Sequence, residues 1–214
     1  MLRFLPATML SMILCASAQA SGRSDLRAGY DALLHHDYET AIALLTNAIE
    51  TGDLSRDNLA LAYHYRGAEY LKAARPDEAI ADLDRAIAIA PSRYPTAYSD
   101  RGIAYRRKGD YAKAIADYSE AIRLWPDWHD WYLNRGLAYA ANGQYQEAIS
   151  DYDRTLYYRP RLVSAYVARA DAFLRQGRKG EALGDYRSAL RADADLFAHY
   201  PGVAAKMAGL DTTP

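Results

Sequence analysis

Two groups of residues in this sequence have the types and spacing to do chemistry. Arg66, Arg101, Arg135 and Arg169 are each followed sixteen residues later by an aspartate: Asp82, Asp117, Asp151 and Asp185. A guanidinium and a carboxylate can form a bidentate pair, either in a row presented to a charged ligand or as a clamp between two segments of the chain. At the corresponding places nearer the N-terminus stand Ala28 and Leu44, so the two charges come and go together. Joint presence and joint absence point to mutual contact, and partly buried charges are normally paired. The structural clamp is the preferred reading. The second group is Trp125-Pro126-Asp127-Trp128-His129-Asp130-Trp131, which holds all three tryptophans. Trp is enriched at binding hot spots, but a seam between packed elements would also bury it, and the seam is preferred.

No catalytic constellation accompanies these residues. There is no Gly-rich phosphate loop, no H-E-x-x-H, no G-x-S-x-G and no pair of cysteines. Among His35, His36, His64, His129 and His199 only the first two adjoin, and no third ligand stands near them. Neither a metal nor a cofactor is expected, and the chain does not read as an enzyme. Lys and Arg number 26 against 27 Asp and Glu, which lacks the basic excess of a nucleic-acid binder. Half the residues are hydrophobic, too many for a generally disordered chain. One bias needs an account: 19 Tyr stand against 3 Phe, so some feature uses Tyr repeatedly.

That feature is an internal repeat. Five segments align without gaps, starting at Ala41 (AIALLTNAIETGD), Ala79 (AIADLDRAIAIAP), Ala114 (AIADYSEAIRLWP), Ala148 (AISDYDRTLYYRP) and Ala182 (ALGDYRSALRADA). Twelve residues before each start lies a small residue: Gly29, Gly67, Gly102, Gly136 or Ala170. Tyr98, Gly102 and Tyr105 fall on one stripe of a first helix, and Ala114, Tyr118 and Ala121 on one stripe of a second. Gly109, Gly143 and Gly177 mark the turn between them, with His35-His36 at that place in the first repeat. Pro91, Pro126 and Pro160 end second helices, since proline cannot donate the next helical hydrogen bond. The small residues are expected to let the two helix backbones approach closely, with aromatics filling the gaps beside them. Of the 19 tyrosines, 13 fall on such repeated packing positions, leaving Tyr30 and Tyr65 among those placed to face a partner.

A helical-hairpin unit of about 34 residues with this order of aromatic, Gly, aromatic, Ala, aromatic, Ala and Pro resembles the tetratricopeptide repeat. The resemblance implies an all-α solenoid, a right-handed superhelix of five units at about 22–55, 60–94, 95–128, 129–162 and 163–195, together filling 21–195. Residues 196–214 form a C-terminal cap and tail, with a short helix over 196–210 broken near Pro201-Gly202. The first unit departs from the pattern with Asp25 and Ala32 at aromatic positions and a longer connector over Thr51 to Asp57. The last has Ala170 for Gly and no closing proline.

Residues 1–20 read as a secretory signal peptide: Arg3, an apolar stretch from Phe4 to Ala18, and an Ala18-Gln19-Ala20 cleavage site. Cleavage there removes Cys15, the only cysteine. Leu14 before it does not suit a lipobox, so the expectation is an exported, periplasmic protein without a lipid anchor and without stable membrane insertion.

The resemblance also implies a concave groove lined by the first helices. In this chain its positions include Leu26, Tyr30, Leu61, His64, Tyr65, Ile103, Arg106, Leu133, Leu137, Val167 and Asp171. The Lys and Asn with which chaperone-binding members grip a terminal carboxylate are absent from these places. The expected function is a non-enzymatic scaffold or adaptor that holds a segment of a protein or peptide partner, without nucleic acid. The alternative is a receptor for a small ligand or glycan at Trp125–Trp131.

Overall fold

The computed structural model describes residues 21–211, and the expected signal peptide with Cys15 lies outside them. Twelve helices and no strand occur among the described residues: α1 (Gly22–Leu34), α2 (Tyr38–Glu50), α3 (Arg56–Lys72), α4 (Pro76–Ile89), α5 (Pro95–Arg107), α6 (Tyr111–Leu124), α7 (His129–Ala141), α8 (Tyr145–Tyr158), α9 (Val163–Arg175), α10 (Lys179–Ala192), α11 (Leu196–His199) and α12 (Pro201–Asp211). The chain divides after Pro91 into two compact bodies. The N-terminal body holds the hairpins α1–α2 and α3–α4. The C-terminal body holds α5–α6, α7–α8 and α9–α10, followed by α11 and α12.

Each hairpin turns on one residue with positive φ, seven places after the small residue of its first helix. Gly109, Gly143 and Gly177 adopt φ of 80°, 78° and 75°. In the N-terminal body the same position is filled by His36 and Ala74, both at φ 58°. An L side chain there costs about 1–2 kcal/mol relative to its usual backbone. The conformation is held by paired bonds, as in Asp110 N–H to the Tyr105 carbonyl (2.9 Å) and Gly109 N–H to that of Arg106 (3.1 Å). Second helices begin on caps such as Asp37 and Asp110, whose carboxylates accept from Thr40 N–H and Lys113 N–H. Helices α4, α6 and α8 stop with one residue left before Pro91, Pro126 and Pro160. The connector after α2 is tied back by Asp53, which accepts from the Gly22 N–H at 3.1 Å.

The helix backbones approach closely at Gly67, where a Cβ would lie 3.3 Å from the Ala79 carbonyl oxygen, but the nearest atoms at Gly29, Gly67, Gly102 and Gly136 are side-chain atoms. The small residue of the first helix makes room for a large side chain of the second. A Cβ placed on Gly29 or Gly67 would lie 2.9 or 2.8 Å from Leu45 or Leu83. On Gly102 or Gly136 it would lie 3.0 or 2.6 Å from the ring of Tyr118 or Tyr152. Leu45, Leu83, Tyr118, Tyr152 and Tyr186 are all fully buried. Around them every second helix buries its opening alanine, Ala41, Ala79, Ala114, Ala148 or Ala182. Burial pushes the Tyr118 phenol up to about 12, with the neighbouring Arg106 guanidinium pulling the other way.

The break in the C-terminal segment falls at Tyr200, one residue before the expected place. Pro201 can open α12 because the first turn of a helix leaves its N–H groups unbonded anyway. Leu196 and Val203 are buried against the Tyr186–Ala189 core, and Met207 and Leu210 pack beside them. His199 Nδ1 meets Asp193 Oδ2 at 2.7 Å, joining α11 to the end of α10. That bond holds the Asp193 carboxyl below its ordinary value and the His199 imidazole above its own.

Gly136→Ala should lower stability by about 1–3 kcal/mol, because the buried Tyr152 ring must move. Ala74→Gly should raise it by several tenths to about 1 kcal/mol by relieving the left-handed backbone; thermal denaturation of the two variants checks the opposite signs. A pH dependence follows from the His199–Asp193 pair. His199, raised, contributes while protonated and stops contributing as pH climbs past its ordinary value near 6.5. Asp193, lowered, contributes while ionised and stops as pH falls below about 3.8. Amides of α12, corrected for intrinsic exchange rates, should therefore be better protected at pH 5 than at pH 8, and His199→Gln should remove the difference.

Candidate functional site

The four arginine–aspartate pairs are close and bidentate. Arg66 Nε and Nη2 donate to Asp82 at 2.6 and 2.8 Å, and Arg101 to Asp117 at 2.9 and 2.6 Å. Arg135 meets Asp151 at 2.8 Å twice, and Arg169 meets Asp185 at 2.7 Å twice. The carboxylates are nearly buried, with side-chain exposures of 7–9%. Burial pushes the Asp151 carboxyl above its ordinary value against the pull of Arg135, the mark of a pair that gives up hydration to form.

The same arginines make contacts that the spacing of two residues did not reveal. The third nitrogen reaches the second helix of the preceding hairpin. Arg66 Nη1 donates to Thr46 Oγ1 at 2.9 Å, Arg135 Nη1 to Ser119 Oγ at 3.0 Å, and Arg169 Nη1 to Asp153. Thr46, Ser119 and Asp153 stand five residues after the opening alanine of their helices, a polar column legible in the aligned segments. Rings flank each guanidinium: Tyr63 and Tyr70 lie 5.7 and 5.8 Å from Arg66, and Tyr132 and Tyr139 both 5.8 Å from Arg135. Tyr98 and Tyr166 lie 5.7 Å from Arg101 and Arg169 in the same way, with Phe173 at 6.0 Å from Arg169. Each guanidinium is thus committed to scaffold groups, with 14–20% of its side chain left exposed.

The groove positions divide between packing and surface. In the N-terminal body Leu26 is nearly buried with Leu45, Ala48 and Ala62, and its remaining surface lies at the floor of a furrow. His64 is buried as well, its ring 5.8 Å from that of Tyr65. Tyr30 is 42% exposed and 5.4 Å from Tyr65, and both line a furrow of about 330 Å³ with Leu61. In the C-terminal body Ile103 packs against Tyr118 and Ala138, and Arg106 is half-buried beside Tyr118. Leu133 and Leu137 pack on the Tyr152 core, and Val167 is buried in it. A cavity of about 940 Å³ opens over Leu137, Tyr145, Tyr152, Val167, Asp171 and Leu174 and is bounded by Tyr200 and Lys206 of the C-terminal segment. Asp171 accepts from Lys206 Nζ at 2.6 Å and from the Tyr186 hydroxyl. The cap therefore supplies part of the cavity wall, which no repeat pattern could announce.

The tryptophan segment splits. Trp131 is buried, while Trp125 and Trp128 are 49% and 43% exposed, with the three rings 5.4–6.2 Å apart. The seam expectation holds for Trp131 alone, because the other two rings lie on the turn between α6 and α7. Neither the 940 Å³ cavity nor the 330 Å³ furrow has a tryptophan in its wall. Among the described residues no group of three or more His, Cys, Asp or Glu could hold a metal ion, and no helix is long and apolar enough to cross a membrane.

The model of the tetratricopeptide repeat matches residues 66–128, 99–162 and 133–196, and the chain belongs to that family. No curated protein matches it significantly in sequence. Among solved structures it is similar to MamA, 22% identical with a TM-score of 0.73 over 82% of this chain and 93% of that one. A thermophilic tetratricopeptide protein of Thermus thermophilus is 24% identical, with a TM-score of 0.62 over 86% of this chain and the whole of that one. A chain of the APC/C hetero-tetramer Cut9-Hcn1 is 18% identical, with a TM-score of 0.68 over 88% of this chain and 36% of that one. At these identities the likeness concerns the fold.

Arg135→Ala should destabilise the protein by about 2–4 kcal/mol, because it removes the bidentate donor of the nearly buried Asp151. Arg135→Met combined with Asp151→Leu should recover much of that loss in urea denaturation. Equal stability of the single variant and the parent would contradict the pairing.

Proposed function

We propose that this chain is an exported, non-enzymatic scaffold that holds a segment of a partner protein against the first-helix face of its repeats. The observation that carries this reading is the 940 Å³ cavity of the C-terminal body, a concave surface of Leu137, Val167 and Leu174 with Asp171, Arg175 and Lys206 at its polar margin. An apolar floor with a few charged groups suits an extended or helical peptide, where side-chain burial supplies affinity and the charges set register. Family membership supports the same class of function. The signal-peptide pattern of residues 1–20 supports a partner outside the cytoplasm, in a bacterial periplasm. The tryptophan ridge supports the glycan alternative less well, because two of its rings are open to solvent with no enclosing wall.

Photo-crosslinking in cell-envelope extract tests the reading. Leu137→Asp and Arg175→Glu should each abolish or sharply reduce the crosslinked partners. Melting should stay close to the parent for Arg175→Glu, and Leu137→Asp should retain a helical circular dichroism spectrum while losing some stability, because Leu137 also packs on the core. Partners retained at the parental level by both folded variants would remove the cavity from the function.

A further inference from the structure

We propose a second site, in the N-terminal body, for an acidic peptide segment that carries an aromatic or aliphatic side chain. It rests on the reading of the chain as a binder of protein segments, but not on the cavity of the C-terminal body. Helices α1 and α3 lie side by side and leave the furrow of about 330 Å³ between them. Tyr30 and Tyr65 form one wall, their rings 5.4 Å apart and tilted by 36°, with Leu61 beside them. Tyr30 is exposed, whereas the repeated tyrosines are all buried or half-buried.

The rim of the furrow is basic. Arg23 and Arg27, one turn apart on α1, are both exposed, and neither has a hydrogen bond or ion pair among the described residues. Arg66, Arg101, Arg135 and Arg169 each hold a carboxylate, so this pair is set apart. Like charges four residues apart on a helix repel, a cost that an anionic ligand would convert into attraction. Asn58 completes the lining from the opposite helix with an amide that can donate or accept.

Guanidinium groups bind carboxylates in a planar, bidentate manner, and Tyr rings accept aromatic or aliphatic side chains at their faces. A segment with Asp or Glu spaced one turn, or two extended residues, apart and an apolar side chain between fits both features. A nucleic acid fits less well, since the chain carries a formal net charge of −1 and the furrow has two basic groups, not a stripe.

Phage-displayed random peptides selected on the immobilised protein supply the test, with winning sequences remade as fluorescent peptides for anisotropy titration. The selected pool should be rich in Asp and Glu beside an aromatic or aliphatic residue. Replacing the acids by amides should weaken binding roughly tenfold or more, as should Arg23→Gln with Arg27→Gln or Tyr30→Ala. Leu137→Asp, in the other body, should leave this binding unchanged, which separates failure here from failure of the cavity reading. A neutral or basic pool would overturn the proposal. So would binding insensitive to the arginine substitutions, or an oligothymidylate probe bound more tightly than the peptides.

Discussion

A guanidinium has five N–H donors in one plane, and this protein commits that geometry three ways at once. Two nitrogens grip the aspartate of the same hairpin, and in Arg66, Arg135 and Arg169 the third reaches the second helix of the hairpin before. Aromatic rings on both sides hold the plane in place. A buried pair of this kind gains little net stability, because both ions surrender hydration. What it supplies is orientation. A hairpin rotated or slipped against its predecessor would strand a carboxylate and a guanidinium together, so one arrangement of neighbouring hairpins is favoured over its near alternatives.

Size complementarity works beside this polar joint. Removing the Cβ of the first helix at Gly29, Gly67, Gly102 and Gly136 opens a recess, and the second helix fills it with Leu45, Leu83, Tyr118 or Tyr152. The filler is leucine in the N-terminal body and tyrosine in the C-terminal one. Most of the tyrosine bias therefore goes to two structural tasks: filling the recess and walling the arginine. The aromatic side chains left over are the informative ones for binding, and they concentrate at Tyr30 and Tyr65, at Trp125 and Trp128, and at the 73%-exposed Tyr157.

The last hairpin described is followed by two helices that are not a repeat, and its residues differ accordingly. Where earlier hairpins carry Ala68, Ile103 and Leu137 on the first-helix face, the last carries Asp171. Its carboxylate is taken up by Lys206 and Tyr186, and Leu196 and Val203 cover the apolar end. The same arrangement makes the cap a wall of the large cavity, so stability of this segment and shape of the cavity depend on common contacts. The His199–Asp193 bond gives that segment a dependence on pH near neutrality through the imidazole.

Periodicity marked out the repeated pair of helices, and the resemblance to the tetratricopeptide repeat implied their stacking into a solenoid. Helical stripes, turn residues and closing prolines recur at the spacing of a helical hairpin, and the joint loss of both charges at Ala28 and Leu44 disclosed the arginine–aspartate contact. These features are local or nearly so, because each depends on residues within one hairpin. The tertiary structure decided what depends on distance between hairpins: the reach of Arg66, Arg135 and Arg169 to the previous helix, the withdrawal of His64 into packing, and the cap's place in the cavity. A stripe position states which way a side chain leaves its helix. Whether it then meets solvent or another helix is set by neighbours remote in sequence, and it is that difference which separates a binding surface from a core.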